Sequence, residues 1–310
     1  MSRILITGAS GFIGRTLATI SEFELATLLG RNNLYALPNF IECDLKEDGD
    51  YRNILKGVDV VIHLAARVHF RKQKKFPDEL RNHIKENMRI TSNLARQAEE
   101  TGVKRFIFLS TIKVNGETNT LSEMFDEHSK TDPQDPYAIS KAMAETELLN
   151  ISNSTEMDCV IIRPPMVYGD CYKGNLPRLL KLLKTGLPLP FLKVYNKRSM
   201  ISARNLCDFI RFCVDHPDVG NKIIPIADAE FISTDQMVRE MYEASLTRPR
   251  LFYIPAHWMK CILCLFGQCA LWDRLFGDLQ IDTTFATESL GWKQPFSQKD
   301  EIRNFVKSTL

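Results

Sequence analysis

The 310 residues predict an α/β protein: a doubly wound parallel sheet with a smaller C-terminal substrate domain interleaved with it. Strand-like and helix-like segments alternate through the first half, the pattern of a parallel sheet covered on both faces. The first apolar strand runs directly into a glycine-spaced turn and a helix. After Tyr168-Gly169-Asp170 the character shifts, and Pro177, Pro188, Pro190, Pro225, Pro249 and Pro255 punctuate shorter elements. The expected division is residues 1–168, with a returning segment near 200–229, for the sheet domain. Residues 169–199 and 230–310 are left for the substrate domain.

Taken in order, Ile4-Leu5-Ile6-Thr7 reads as a buried strand. It is followed by Gly8-Ala9-Ser10-Gly11-Phe12-Ile13-Gly14. Gly8 permits a tight turn, Gly11 lets the backbone approach a pyrophosphate, and Gly14 lets the helix pack on the strand. The helix start supplies amide donors and partial positive charge. Between a strand and a helix, this pattern predicts a bound dinucleotide. The second strand, in Leu25–Arg31, ends in Gly30 and Arg31 where an acid would bond the adenosine ribose. A guanidinium there tolerates a 2′-phosphate, which favours NADP(H) over NAD(H). Asp44 is placed either to accept from the adenine amino group or to cap a turn.

Further strands are expected at Val58–Leu64, Phe106–Leu109 and Cys159–Ile162, and a helix from Asn87 to Thr101 with Gly102 as its stop. Between them, Arg67, Arg71, Lys72, Lys74 and Lys75 interleave with His69 and Phe70, as in a solvated loop or one that attracts phosphates. Tyr137 and Lys141 stand four apart in Pro136-Tyr137-Ala138-Ile139-Ser140-Lys141, on one face if the segment is helical. A positive charge ~4 Å from the phenol at dielectric ~20 is worth ~4 kcal/mol, roughly three pKa units. That predicts a phenol brought towards the range of a working acid or base. A hydroxyl pair, Ser110-Thr111, precedes it.

Composition narrows the class. At 44% hydrophobic, 25% charged and a net charge of +2, the chain reads as an ordinary soluble protein with no call for nucleic acid. A strand starting at Arg3 leaves no room for a signal peptide, so a cytoplasmic location is expected. Cys43, Cys159, Cys171, Cys207 and Cys213 lie in apolar segments as small hydrophobes. His257, Cys261, Cys264 and Cys269 approach metal-ligand spacing, but their helical apolar run lacks the turns of a zinc knuckle, and no metal is expected. The run from Trp258 to Trp272 is too short to span a bilayer, which leaves peripheral membrane contact open.

Across almost its whole length the chain resembles the extended short-chain dehydrogenases/reductases, the NAD-dependent epimerase/dehydratase family. The resemblance rests on Gly8, Gly11 and Gly14, Asp44-Leu45, His63-Leu64-Ala65-Ala66, Asn87, Ser110-Thr111, Tyr137 with Lys141, and Arg163-Pro164. It continues through Gly174-Asn175-Leu176-Pro177, Arg198, Arg274, Asp278 and Leu290-Gly291-Trp292. It implies that Thr111 bonds the reacting substrate oxygen, that Tyr137 exchanges its proton, and that Lys141 holds the nicotinamide ribose and lowers the Tyr137 pKa. Ser110 would face the sheet. Cofactor contacts would come from Gly8, Gly11, Phe12, Ile13, Gly14, Arg31, Asp44, Leu45, Ala65, Ala66, Asn87 and Pro164. A UDP-sugar would meet Asn175, Leu176, Arg198, Arg274 and Asp278, and Phe191 would either flank its base or belong to the core.

Two positions depart from the family pattern: Asn205 stands for a common Asp, and Asn115 for the Tyr of Val-Tyr-Gly. Leu279 falls near a bulky Tyr of some epimerases, leaving room for an N-acetyl group. The first expectation is reduction of a UDP-4-keto (6-deoxy) N-acetylhexosamine. The alternative is a UDP-glucose or UDP-N-acetylglucosamine type 4-epimerase, which includes one acting on a lipid-diphosphate-linked sugar. A cofactor-binding protein without chemistry is the remaining class. Ile112-Lys113, where dehydratases carry Asp-Glu, argues against dehydration. A homodimer is expected by the same resemblance.

Overall fold

The structure, a computed structural model, describes residues 2–68, 76–119, 123–170, 174–265, 267 and 269–310, without the side chains of residues 262, 269–271 and 274. Residues 69–75 of the basic stretch, and Cys171, therefore lie outside it. Its strands are β1 (Ile4–Thr7), β2 (Thr27–Gly30), β3 (Phe40–Glu42), β4 (Val60–His63), β5 (Arg105–Leu109), β6 (Asp158–Arg163), β7 (Met166–Tyr168), β8 (Met200–Ser202) and β9 (Lys222–Pro225). The helices are α1 (Phe12–Leu17), α2 (Arg52–Leu55), α3 (Phe76–His83), α4 (Ile90–Glu100), α5 (Pro136–Ser154), α6 (Asn175–Lys184), α7 (Ala203–Asp215), α8 (Thr234–Ala244), α9 (Ala256–Leu265), α10 (Cys269–Phe276) and α11 (Gln298–Thr309).

Seven strands form one parallel sheet in the order β3-β2-β1-β4-β5-β6-β9, and β7 pairs with β8 in parallel beside it. The central strands are apolar throughout because both faces are covered. Alternation sends Ile6, Ile62, Ile107 and Ile162 to one face, against Leu17, Leu206 and Ile210 of α1 and α7. Leu5, Val61, Phe106, Phe108 and Ile161 go to the other, against α4 and α5. A third core gathers Tyr168, Leu176, Leu180, Phe191, Met241, Ile302 and Phe305 from β7 and the later helices. β1 lies between β2 and β4, so the strand order reverses there, and ligands of such sheets bind in the crevice beyond those carboxyl ends.

One helix boundary differs from expectation. The helix expected from Asn87 starts at Phe76 and runs through a π-helical turn at Ile84–Arg89 into α4. Its first turns bury Glu79, His83 and Asn87 rather than apolar side chains, so hydrophobic periodicity does not reveal them. Gly102, at φ +83°, ends the helix as expected.

Candidate active site

The glycine turn is shaped by close backbone approach. Gly8 has φ +72°, and a Cβ there would lie 2.6 Å from the Ala65 amide nitrogen, because the loop after β4 presses on the turn. A Cβ at Gly14 would lie 2.6 Å from Ala9 Cα and collide with the Gly8 carbonyl. Gly11 donates to that carbonyl at 2.9 Å and stays exposed, heading α1 together with Phe12 and Ile13. The result is a cradle open at the switch point, whose shape fits a dinucleotide pyrophosphate.

On the adenosine side, a Cβ at Gly30 would lie 2.9 Å from the Phe40 ring, and Arg31 follows it, exposed. Glu42 pairs with Gly30 across β3, and its Oε1 accepts from the Asn33 amide at 3.0 Å. A second cation escaped the sequence reading: the Arg15 guanidinium lies 4.1 Å from the centre of the Tyr35 ring, and its Nε donates to the Gly11 carbonyl at 3.4 Å. Its position four residues after Gly11 on the helix was the available signal. Asp44 is exposed, and Leu45 packs against the second core.

The ends of β1 and β4 are tied by a buried relay. Thr7 Oγ1 meets His63 Nδ1 at 2.7 Å, and His63 Nε2 meets Thr91 Oγ1 at 3.0 Å. Burial, aided by Lys141, pushes the imidazole pKa down to about 3, so the relay is neutral. Ala65 donates to Thr7 Oγ1 at 3.4 Å, with Ala66 next in the loop. Asn87 accepts from the Arg67 amide at 2.7 Å, and its Nδ2 donates to the Arg67 carbonyl at 3.1 Å and to Ser140 Oγ at 2.9 Å. Its amide is thus spent on pinning this loop to α5.

Thr111 ends the extension of β5 in extended backbone, nearly buried, with Oγ1 accepting from the Lys113 amide at 3.4 Å. Asp135 caps α5 at 2.7 Å, and Pro136 opens it, which fixes where Tyr137 stands. Lys141, one turn on, donates to the Leu109 carbonyl at 2.8 Å and lies 4.1 Å from the centre of the Phe108 ring. Lys141 is therefore anchored two residues before Thr111, which brings the hydroxyl strand and the tyrosine helix together.

The electrostatics correct one expectation. Tyr137 is not made more acidic by Lys141; its pKa is raised, first by burial and then by the Asp135 carboxylate. The ammonium is spent on β5, and its own pKa is pulled down to about 7 by burial, against the opposing pull of Glu145. His83, absent from the sequence reading, meets the Tyr137 ring edge-on at 6.1 Å, and burial holds its imidazole below the ordinary value.

Ser110 is buried. It donates to Glu145 Oε1, part of a buried pair in which Arg163 Nη2 meets Glu145 Oε2 at 2.5 Å. Arg163 Nη1 also donates to Asn115 Oδ1 at 3.1 Å, and Asn115 Nδ2 donates to the Ser129 carbonyl at 2.9 Å. Asn115 thus serves this network.

In the second half the structure divides the candidates. Asn175 is exposed at the start of α6, and Pro164 is buried, accepting at its carbonyl from Ile112 at 2.9 Å. Arg198 Nη1 donates to the carbonyls of Asp273 and Gly277 at 3.0 and 2.9 Å, and Asp278 Oδ1 accepts from the Lys197 amide at 2.6 Å. Leu176 and Phe191 are buried in the third core, Phe191 against Phe276, so their side chains serve packing. The Arg274 side chain lies outside the described residues. Leu279 is buried with Ile112, Ala227 and Ile281, beneath the residue after Thr111. Asn205 bonds Asp228 Oδ1 at 2.7 Å and the backbone of Phe296.

The reversing parallel sheet with a glycine cradle at its switch point places the chain among the Rossmann dinucleotide-binding proteins. Residues 4–227 match the NAD dependent epimerase/dehydratase family, and the chain belongs to that family. It is 36% identical over 314 residues to the UDP-glucose 4-epimerase of Vibrio cholerae, covering 99% of this chain and 95% of that one. It is 29% identical over 250 residues to the N-acetyl-alpha-D-glucosaminyl-diphospho-ditrans,octacis-undecaprenol 4-epimerase of Escherichia coli O157:H7, covering 79% and 72%. The UDP-glucuronic acid 4-epimerase of Bacillus cereus, crystallised with NAD, shares the fold at TM-score 0.78 and 19% identity, covering 99% and 98%. The chain is an enzyme of this NAD(P)-dependent family.

Proposed function

We propose that this enzyme is a 4-epimerase of a UDP-linked hexose or N-acetylhexosamine. The observation that carries the reading is its likeness to the Vibrio cholerae UDP-glucose 4-epimerase along nearly all of both chains. Bound NAD(P), cradled by Gly8, Gly11, Phe12, Ile13 and Gly14 and flanked by Asp44, Leu45, Ala65, Ala66 and Pro164, supplies the hydride acceptor and donor. Everything else falls to side chains. Tyr137 takes the proton from the sugar C4 hydroxyl and gives it back, while Thr111 bonds the same oxygen. Lys141 fixes the geometry from β5 and carries a proton that titrates near neutrality. Asn175, Arg198 and Arg274 meet the diphosphate, and Asp278 holds the Arg198 segment through the Lys197 amide.

Dehydration is disfavoured by the residues after Thr111. Neither is an acid: Ile112 is buried, and Lys113 is a cation paired with Glu117 and Asp135 at 2.5 and 2.8 Å. The second reading, 4-keto-sugar reduction, is favoured by Arg15 and Arg31, two cations suited to a 2′-phosphate. Denaturing the purified enzyme and identifying the released nucleotide separates the two. Tightly held NAD⁺ supports the epimerase; an enzyme that takes up and consumes NADPH with a 4-keto sugar supports the reductase.

A further inference from the structure

One face of the second half carries features that sugar chemistry does not use. Residues 171–207 and 244–272 contain no Asp or Glu, and both segments carry Lys and Arg. The fold joins them: Leu189 bridges Leu251, Phe252 donates to the Leu189 carbonyl at 3.0 Å, and Lys193 Nζ lies 5.9 Å from the Tyr253 ring. Three residues after Tyr253, α9 begins, and it leaves large apolar side chains exposed. Trp258, Cys261 and Leu265, spaced i, i+3 and i+7, share a face and are exposed, Leu265 at 85% and Trp258 at 60%. Tyr195, at 76%, and Leu246, at 94%, are further exposed apolar side chains of the same two segments. Exposed Lys181, Lys184, Arg248 and Lys260 lie on the same acid-free segments.

We propose that this face docks on the surface of an anionic lipid bilayer. Trp and Tyr are at home at headgroup depth, apolar helix faces enter the acyl boundary, and surrounding Lys and Arg meet lipid phosphates. No described helix is long and apolar enough to cross a membrane, so contact is peripheral. Charge decides the occupant: within these two segments every charged side chain is a Lys or Arg, which complements a sheet of phosphates. The proposal stands apart from the reaction assigned above.

The test is co-sedimentation of the full chain with vesicles of phosphatidylglycerol and phosphatidylcholine, or of phosphatidylcholine alone, at moderate salt. Binding to the anionic vesicles is expected, weaker by ~10-fold or more on neutral ones and in W258S/L265S, as apolar insertion plus electrostatic attraction requires. Circular dichroism and sugar turnover off the membrane check that the variant is folded. No sedimentation of the wild type overturns the proposal. So does W258S/L265S binding as well as wild type with heparin displacing both, which marks a general polyanion patch. A concentration-dependent oligomer that the variant abolishes, without vesicle binding, assigns the face to a second copy and also overturns it.

Discussion

Replacing Lys141 by methionine is expected to stabilise the nucleotide-free protein at pH 7 while abolishing turnover. Lys141 is 1% exposed, and burial pulls its pKa from 10.5 to about 7. Between those values the unfolded chain holds a proton that the folded chain does not, so stability rises with pH across the window. At pH 7 the folded state carries nearly the whole penalty, about 4 kcal/mol. Methionine keeps the apolar stem but gives up the hydrogen bond to the Leu109 carbonyl and the contact with Phe108, a loss of ~1–2 kcal/mol. The net gain is therefore about 2 kcal/mol at pH 7 and vanishes towards pH ~10. Denaturant midpoints of nucleotide-stripped wild type and K141M, measured from pH 7 to 10, check this. A variant less stable at pH 7, or a gap that does not change with pH, refutes the burial argument.

Asp228 is a buried acid raised to about 6, chiefly by burial against its bonds from Asn205, Tyr168 and Ser202. A raised acid costs folding stability as pH climbs, so wild type should lose up to ~3 kcal/mol relative to D228N between pH ~4 and ~6, read from urea titrations. A constant gap contradicts this. E145Q leaves the buried Arg163 guanidinium without its counter-charge and should cost ~3–5 kcal/mol by the same titration; a neutral change would mean that Arg163 finds another partner. On the second reading, 4-keto-sugar reduction, R15A/R31A should shift cofactor preference from NADP(H) towards NAD(H) by ~10-fold or more in nucleotide affinity, with unchanged relative affinity speaking against a 2′-phosphate site.

Much of the fold was legible because local pattern and global need coincide in a parallel sheet. Apolar runs bounded by turns mark β1, β4, β5 and β6, and the glycines after β1 announce the cradle. Helical spacing put Tyr137 and Lys141 on one face of a helix, as α5 has them, while Thr111 joined them through the family resemblance alone. Where the Lys141 amine points was not legible, because the Leu109 carbonyl and Phe108 ring that hold it come from another strand. For the same reason the direction of the Tyr137 shift was misread. Glu79, His83 and Asn87 hid a helix start by being buried and polar, a pattern that mimics an exposed segment. The Leu176 side chain is claimed by a core assembled from distant helices, and of the two places open to Phe191 the same core holds it. Asn115 and Asn205, departures in the sequence, turn out to satisfy buried networks.

The proposed reaction turns on Tyr137 moving the proton at sugar C4. Proton NMR of purified enzyme with UDP-glucose or UDP-N-acetylglucosamine, without added nucleotide, tests it most directly. Wild type is expected to give the C4 epimer, and Y137F a rate lower by ~10²-fold or more with bound nucleotide retained. Equal rates in Y137F, or no epimer from wild type holding its nucleotide, would contradict it.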